Sequence, residues 1–354
     1  MKNKWLQISL SALSLGLAVV LVVYLPQIVR ALTGKDVSWR EIWAVFGTLG
    51  AGTIALMTAL WLLSLLAYTF VLTGSLPGLG RLQALTLNAA GSAVSNLLPF
   101  GGAAGVALTF AMARGWGFGN RAIVVMTLVS GVWNTLFRFV LPAVGIIALL
   151  IAGRVPDARV ANAGWAGAVS ILVLVAVVAV ALYWDRAAAA LGRGLDFLVR
   201  IIRLRVRPSE AFHRLRADTA GIVRTRWLPL SGGMVAFLGL QWAIMVACLV
   251  ATGAYPGLAE SIAVFALSRV LTTALVTPSG AGIMEAGVVV LLTSAFGVPL
   301  APATAAALLF GFWTYTVEIP FGGLALGAWA LLRRRDRRDA AAEPPPSTIS
   351  KAPR

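Results

Sequence analysis

Uninterrupted apolar runs of about 20 residues, rich in Leu, Ala, Val and Gly, recur along this chain, and that is the length a helix needs to cross the hydrocarbon core of a bilayer. Within that core only the chain itself can satisfy its backbone N–H and C=O groups, so spanning structure is either helix or closed barrel. A barrel would show short, strictly alternating segments, and these runs do not alternate. The 354 residues are 59% hydrophobic and 12% charged, against about 25% charged in a soluble domain. A soluble globule is therefore excluded. The fold class is all-α, a polytopic helical membrane protein.

Span one covers about Leu6–Pro26. It follows Lys2 and Lys4 as a signal peptide would, but its length and the lack of an A-x-A-like site favour a retained anchor. Span two covers about Ile42–Leu72, and Thr73–Arg81, with Gly74, Pro77, Gly78 and Gly80, reads as a loop. Leu82–Leu98 and a second short run to Ala113 flank Pro99-Phe100-Gly101-Gly102. Neither is a comfortable crossing, so a hairpin that enters the membrane and returns is expected, its broken backbone buried in protein or lining a wet cavity. Spans three and four cover about Arg121–Ile151 and Val160–Trp184. Asp185–Trp227 is a polar loop with ten arginines against four acids. Span five covers about Leu228–Thr252. A second broken pair joins Leu258–Val276 to Ile283–Phe296 through Thr277-Pro278-Ser279-Gly280-Ala281-Gly282, and span six covers about Ala301–Leu332. A single transmembrane domain thus occupies 1–332, followed by a basic, then disordered, tail over 333–354.

The net charge of +16 would suggest nucleic acid in a soluble chain. Here the arginines lie between apolar segments, where positive-inside bias and attraction to anionic headgroups account for them, and no nucleic-acid partner is expected. With the N-terminus inside and each hairpin re-entrant, Lys2, Lys4, Arg81, Arg114, Arg121, the 185–227 loop and Arg333–Arg338 are all cytoplasmic. Counting each hairpin as two thin spans gives the same sidedness. The expected location is the cytoplasmic (inner) cell membrane, multi-pass, with both termini cytoplasmic. Trp5, Trp184, Trp227 and Trp329 then fall at the inner interface, and Trp39, Trp43 and Trp165 at the outer. Leu195, Phe197, Leu198, Ile201, Ile202 and Leu204 would let part of the basic loop lie as an amphipathic helix on the inner leaflet; topological charge alone is the other reading.

Pro99 laid on Pro278 brings Gly101 over Gly280, and, one residue out of step, Gly117 near Gly297, Trp133 near Trp313 and Arg138 near Glu318. Pro142 lies near Pro320. The two sets, about 42–151 and 228–332, form an internal repeat. Span two runs outward to inward and span five the reverse, so the repeats are inverted and their re-entrant hairpins enter from opposite faces. Inverted repeats with discontinuous helices are a recurring transporter design; a duplicated structural bundle is the alternative.

A helix restarting after Gly101-Gly102 or after Gly280-Ala-Gly282 would aim free N–H groups and a positive dipole end at the turn, where an anion such as a lipid phosphate could bind. The plainer reading is tight turns and close packing. Ionisable groups inside a membrane are costly and mark function or pairing. The candidates are Arg138, Arg269, Glu285 and Glu318, with Asn88, Asn96, Asn134 and Gln241 adding uncharged polarity. In one reading the arginines hold a lipid phosphate while Glu285 and Glu318 balance charge or carry a proton. In the other, Arg138–Glu318 and Arg269–Glu285 are structural ion pairs. The candidate substrate site is therefore Arg138, Arg269, Glu285, Glu318, Asn96, Gly101, Gly102, Pro278, Gly280 and Gly282. One cysteine (Cys248) and one histidine (His213) exclude a disulfide, a His-rich zinc site and a Glu-x-x-His di-metal bundle. No cofactor or metal is expected.

Asn96-Leu-Leu-Pro-Phe-Gly-Gly-Ala-Ala-Gly105, Trp116-Gly-Phe118, Gly131-Val-Trp-Asn134 and Arg138, with Ser268-Arg269 and Thr277-Pro-Ser-Gly-Ala-Gly-Ile-Met-Glu285, resemble the flippase-like membrane domain family, which includes the transmembrane part of lysylphosphatidylglycerol synthases. The resemblance runs over about Leu6–Leu332. The chain departs from the family pattern at Ser279, where glycine is usual, and near Trp313, where an arginine often stands. No soluble aminoacyl-transfer domain is expected after Leu332. The resemblance implies lipid translocation or related lipid handling rather than lipid synthesis.

The expected function is a lipid flippase or secondary transporter moving a phospholipid or other amphipathic lipid between leaflets. There is no P-loop, so the energy must come from an ion gradient or downhill movement. A membrane-embedded enzyme would need clustered acid–base groups or metal ligands, which scattered carboxylates do not supply, so no enzymatic activity is expected. The alternative is a non-transporting accessory subunit of a lipid- or glycan-modifying enzyme. The expected partners are membrane lipids with anionic headgroups, and, among proteins, a second copy of the chain or a membrane enzyme.

Overall fold

A computed structural model describes residues 16–98, 101–155, 157–183, 210–272, 277 and 280–342. Among these residues all regular structure is helical. Among the described residues five helices are long and apolar enough to cross a membrane, or six if the bent N-terminal pair is one span.

That pair is α1 (Gly16–Val23) and α2 (Leu25–Thr33), which meet at 60°. The apolar run does not end at Pro26 as expected. Pro26 stands in the first turn of α2, where its missing N–H leaves no bond unmade. The expected span from Ile42 to Leu72 is likewise two helices, α3 (Trp39–Phe46) and α4 (Ala51–Ser75). Two glycines, Gly47 and Gly50, bracket the break, and α3 starts at a reciprocal capping box. There the Ser38 N–H donates to the Glu41 carboxylate at 2.7 Å, and the Glu41 N–H donates back to the Ser38 hydroxyl at 3.3 Å. The Ser38 backbone N–H, with help from its hydroxyl, holds the Glu41 carboxyl below its ordinary value.

The first broken pair is α5 (Arg81–Leu97) and α6 (Gly101–Gly115), followed by α7 (Asn120–Ile151) and α8 (Ala158–Tyr183). Helix α9 (Glu210–Ala251) begins well inside the expected polar loop and runs on into span five, kinking at Arg226 (φ −125°, ψ 17°) just before Pro229. Residues 184–209, with the candidate amphipathic stretch, lie outside the described residues, as do Pro99, Phe100, Trp5 and Trp184. The second pair is α10 (Leu258–Leu271) and α11 (Ile283–Val290), the latter extended by a π turn over Leu291–Ala295. Span six is α12 (Leu300–Gly311), a π turn over Phe312–Thr316, and α13 (Glu318–Ala342). Helix α13 carries on through the basic cluster expected to begin a disordered tail.

Helices α4 and α9 form the central, antiparallel seam. Gly74 of α4 faces Pro229 and Leu230, and Gly233 of α9 faces Phe70 and Val71, so close that an added Cβ would lie 2.9 Å from Phe70. Between helices in lipid the hydrophobic drive is weak, and close backbone packing of small residues takes its place. Hairpin arm α5 lies along α13, and arm α10 along α7. The ends of α5, α6 and α7 and the C-terminal part of α13 place Arg81, Arg114, Arg121 and Arg333 on one side of the bundle, the basic side below. Arg30, Arg40, Arg154 and Arg159 lie at the opposite, far side. Trp43 and Trp165 on the far side and Trp227 on the basic side are exposed, as interfacial residues are.

Candidate functional site: a cavity between the broken helices

Helices α4 to α7, α9, α10 and the α12–α13 junction enclose a cavity of about 740 Å³. Helix α7 contributes Ser130, Asn134 and Arg138, and the first hairpin contributes Asn88, Ser92, Ser95, Asn96 and Thr109. Gln241 comes from α9, Arg269 from α10, and Tyr315 and Glu318 from the turn into α13. A site this polar, enclosed by helices this apolar, is where substrate would be expected in a membrane protein.

The glycines of the first tip shape it in opposite ways. A Cβ at Gly101 would run into the Ser95 carbonyl, and one at Gly105 into the Ser95 hydroxyl, so both let α5 and α6 close on each other. The Ser95 hydroxyl donates to the Gly101 carbonyl at 3.2 Å and ties the tip. Gly102 has nothing near it and leaves open space in the cavity.

The two arginines are held differently. Arg269 is buried. It donates from Nη1 to Gln241 Oε1 at 2.7 Å and from Nη2 to the Tyr315 hydroxyl at 3.1 Å. Its Cζ lies 5.4 Å from the ring centre of Phe265 and 5.3 Å from that of Phe310, in cation–π range. Arg138 is half-buried and donates from Nε to Asn134 Oδ1 at 3.0 Å. Among the described residues neither guanidinium forms an ion pair. The pairs Arg138–Glu318 and Arg269–Glu285, one of the two sequence readings, do not form.

The carboxylates have other partners. Glu318 accepts from Asn96 Nδ2 at 2.9 Å, joining the tip of the first hairpin to the start of α13. Glu285 does not line the cavity. It accepts the Gly282 N–H at 2.6 Å, closing the first turn of α11, and packs on Gly311. That capping role was legible in the three-residue spacing from Gly282 to Glu285. Gly280 (φ 72°) and Gly282 (φ 84°) also lie off the cavity; Gly282 abuts Leu21 of α1. Pro278 lies outside the described residues. Of the candidate residues, Asn96, Gly101, Gly102, Arg138, Arg269 and Glu318 come together around one space. The sequence reading missed Tyr315 and Tyr68. The polar run Thr314-Tyr315-Thr316 inside span six was the available signal for the first.

Two buried polar atoms at this cavity, Arg269 Nε and the Thr277 hydroxyl, have no hydrogen-bond partner among the described residues. Buried polar groups are almost always satisfied, so these two mark where a polar ligand or water would be held.

Apolar helices too long for a soluble core, closed around a polar site between broken helices, define a polytopic membrane protein. The chain belongs to the family described as the lysylphosphatidylglycerol synthase TM region, whose model matches residues 11–322 and so takes in every residue of the cavity. The resemblance carried by the two hairpin motifs is thus borne out. No individual curated protein matches the chain.

Proposed function

We propose that the protein is a flippase that moves a phospholipid or other amphipathic lipid with an anionic headgroup between leaflets, without ATP hydrolysis. The observation that carries this reading is the pair of arginines, Arg138 and Arg269, lining one intramembrane cavity with no ion-pair partner for either among the described residues. Two guanidinium groups share this low-dielectric site with one carboxylate, Glu318, and the net positive charge favours an anion, of which a lipid phosphate is the abundant one there. The apolar walls contributed by Leu65, Leu72, Leu87 and Val106 suit the chains attached to it. The reading is one of transport rather than catalysis. It places the basic side in the cytoplasm of an inner-membrane protein by positive-inside bias.

The inverted repeat is part of the same proposal, and several features support it. Helices α4 and α9 are antiparallel neighbours, so the broken pairs that follow them leave from opposite ends. Helix α5 packs on α13 as α10 packs on α7. In each seam a glycine shortly after a helical proline seats the hairpin arm. Gly145, after Pro142, lies on Ala263 and Ala266; Gly322, after Pro320, lies on Ala89 and Ala93. The one-residue slip between the halves also has a physical source. The π turn Leu291–Ala295 lies between Gly280, which is in step with Gly101, and Gly297, which is one residue late on Gly117, and a π turn is a single-residue insertion in a helix.

Reconstitution into vesicles with labelled lipids, scored for leaflet exchange, tests the proposal. Exchange of an anionic phospholipid that falls strongly in Arg138→Ala is expected. No exchange for any lipid class, with folded protein in the vesicles, would leave the accessory-subunit reading in its place.

A further inference from the structure

The two hairpins are fastened differently. Both start with a residue reaching back three positions to its own first turn. In α5 the Gly80 N–H donates to Gln83 Oε1 at 2.9 Å, and in α10 the Glu260 carboxylate lies against Gly257. Gln83 is neutral. Glu260 is nearly buried, its side chain 6% exposed, and it pairs with Arg154, just past the end of α7. That pair joins the start of α10 to the helix it packs along. At the first hairpin the facing helix α13 offers Arg333, but this turns onto the Trp329 ring and Gly115 rather than α5. The basic-side pair Arg121–Asp218 joins α7 to α9 and fastens neither arm of that hairpin.

The fastening matches where the space lies. Gly105 and Thr109 of α6 line the cavity. At the same distances past the second tip stand Met284 and Val288 of α11, both fully buried. The cavity therefore follows the first hairpin toward the basic side, while arm α11 of the second is shut against α1, α2 and α12.

We propose that Arg154–Glu260 is a latch that holds the second hairpin closed on the far side, and that its release opens a second access there as the first closes. This rests on the transport reading above, for which both leaflets must reach the site in turn. Opening parts Glu260 from Arg154, so removing the pair takes its attraction from the closed arrangement and nothing from the open, hydrated one.

Single cysteines in a Cys248→Ala background test it, using the full chain in nanodiscs and a polar maleimide. Thr109→Cys reports the cavity on the basic side and Val288→Cys the closed wall on the far side. In the parent, fast labelling at 109 and slow labelling at 288 are expected. Glu260→Gln should raise the rate at 288 by roughly two- to fivefold, the shift that loss of one half-exposed ion pair supports, and lower the rate at 109. The charge-swapped pair Arg154→Glu/Glu260→Arg should return both toward the parent. Unchanged rates, or rates rising together as in general loosening, would overturn the latch. Reciprocal labelling without lipid exchange would uphold the latch and remove the transport reading; exchange with unchanged labelling would do the reverse.

Discussion

The two broken hairpins share a chain pattern and differ in what surrounds their tips. The first tip opens on the cavity, with Gly102 facing free space and Asn96 holding Glu318. At the second, Thr277 reaches the cavity, but the described residues that follow are closely packed: Gly280 lies under the end of α10, Gly282 meets Leu21, and Glu285 caps its own helix. A Pro/Gly break thus specifies a turn at a given depth. Whether that turn is a binding surface or a closed joint depends on the size and charge of the residues facing it.

Substitutions can break this comparison, and the largest effect is expected at glycines with no room. Gly101→Ala drives a Cβ into the Ser95 backbone and should cost more than ~3 kcal/mol, seen as lost folded yield and a lowered melting temperature. Gly102→Ala should leave both near parent. Equal losses in the two variants would show that the first tip is as tightly packed as the second. Gly280→Ala, at φ 72° and with the Leu271 carbonyl 2.7 Å from the added Cβ, should cost about 1–3 kcal/mol through strain.

The arginines and carboxylates should separate next. Arg269→Lys gives up the two-pronged grip on Gln241 and Tyr315 and the stacking between rings, a loss of about 2 kcal/mol in stability. Arg138→Lys should change stability by less than ~1 kcal/mol while slowing leaflet exchange. Glu318→Gln, on the cavity wall, should slow exchange. Glu285→Gln keeps an oxygen for the Gly282 N–H and should cost about 1 kcal/mol or less with exchange near parent. If Glu285→Gln abolished exchange in a well-folded protein, the start of α11 would belong to the site after all. The smallest effect is expected at the capping box of α3, where Ser38→Ala should lower stability by about 1 kcal/mol without touching exchange.

Much of this architecture was legible in the chain because a membrane leaves few options for an apolar run. The arms α5 and α6, and the spans α7 and α8, fall within a few residues of their expected bounds. Helix ends that depend on single residues were not legible. The break between Phe46 and Ala51 hid inside a hydrophobic stretch, and α9 began among arginines that read as loop. At the site, charge inside a span pointed to Arg138, Arg269 and Glu318, since such residues need a reason to be there. It could not show which charges pair. Spacing along the repeat suggested Arg138–Glu318, but Asn96 of α5 takes the carboxylate. Gln241, Tyr315 and two phenylalanines occupy Arg269, leaving Glu285 to its own helix end.

In the transport reading, the cavity takes an anionic lipid headgroup on Arg138 and Arg269, which form no ion pair among the described residues. Leaflet exchange of a labelled anionic phospholipid in vesicles, measured for the parent and for Arg138→Ala at matched protein content, tests it most directly. Exchange in the parent should fall at least about tenfold in the variant, the equivalent of ~1.4 kcal/mol, with the melting temperature nearly unchanged. Equal exchange in parent and variant would contradict it.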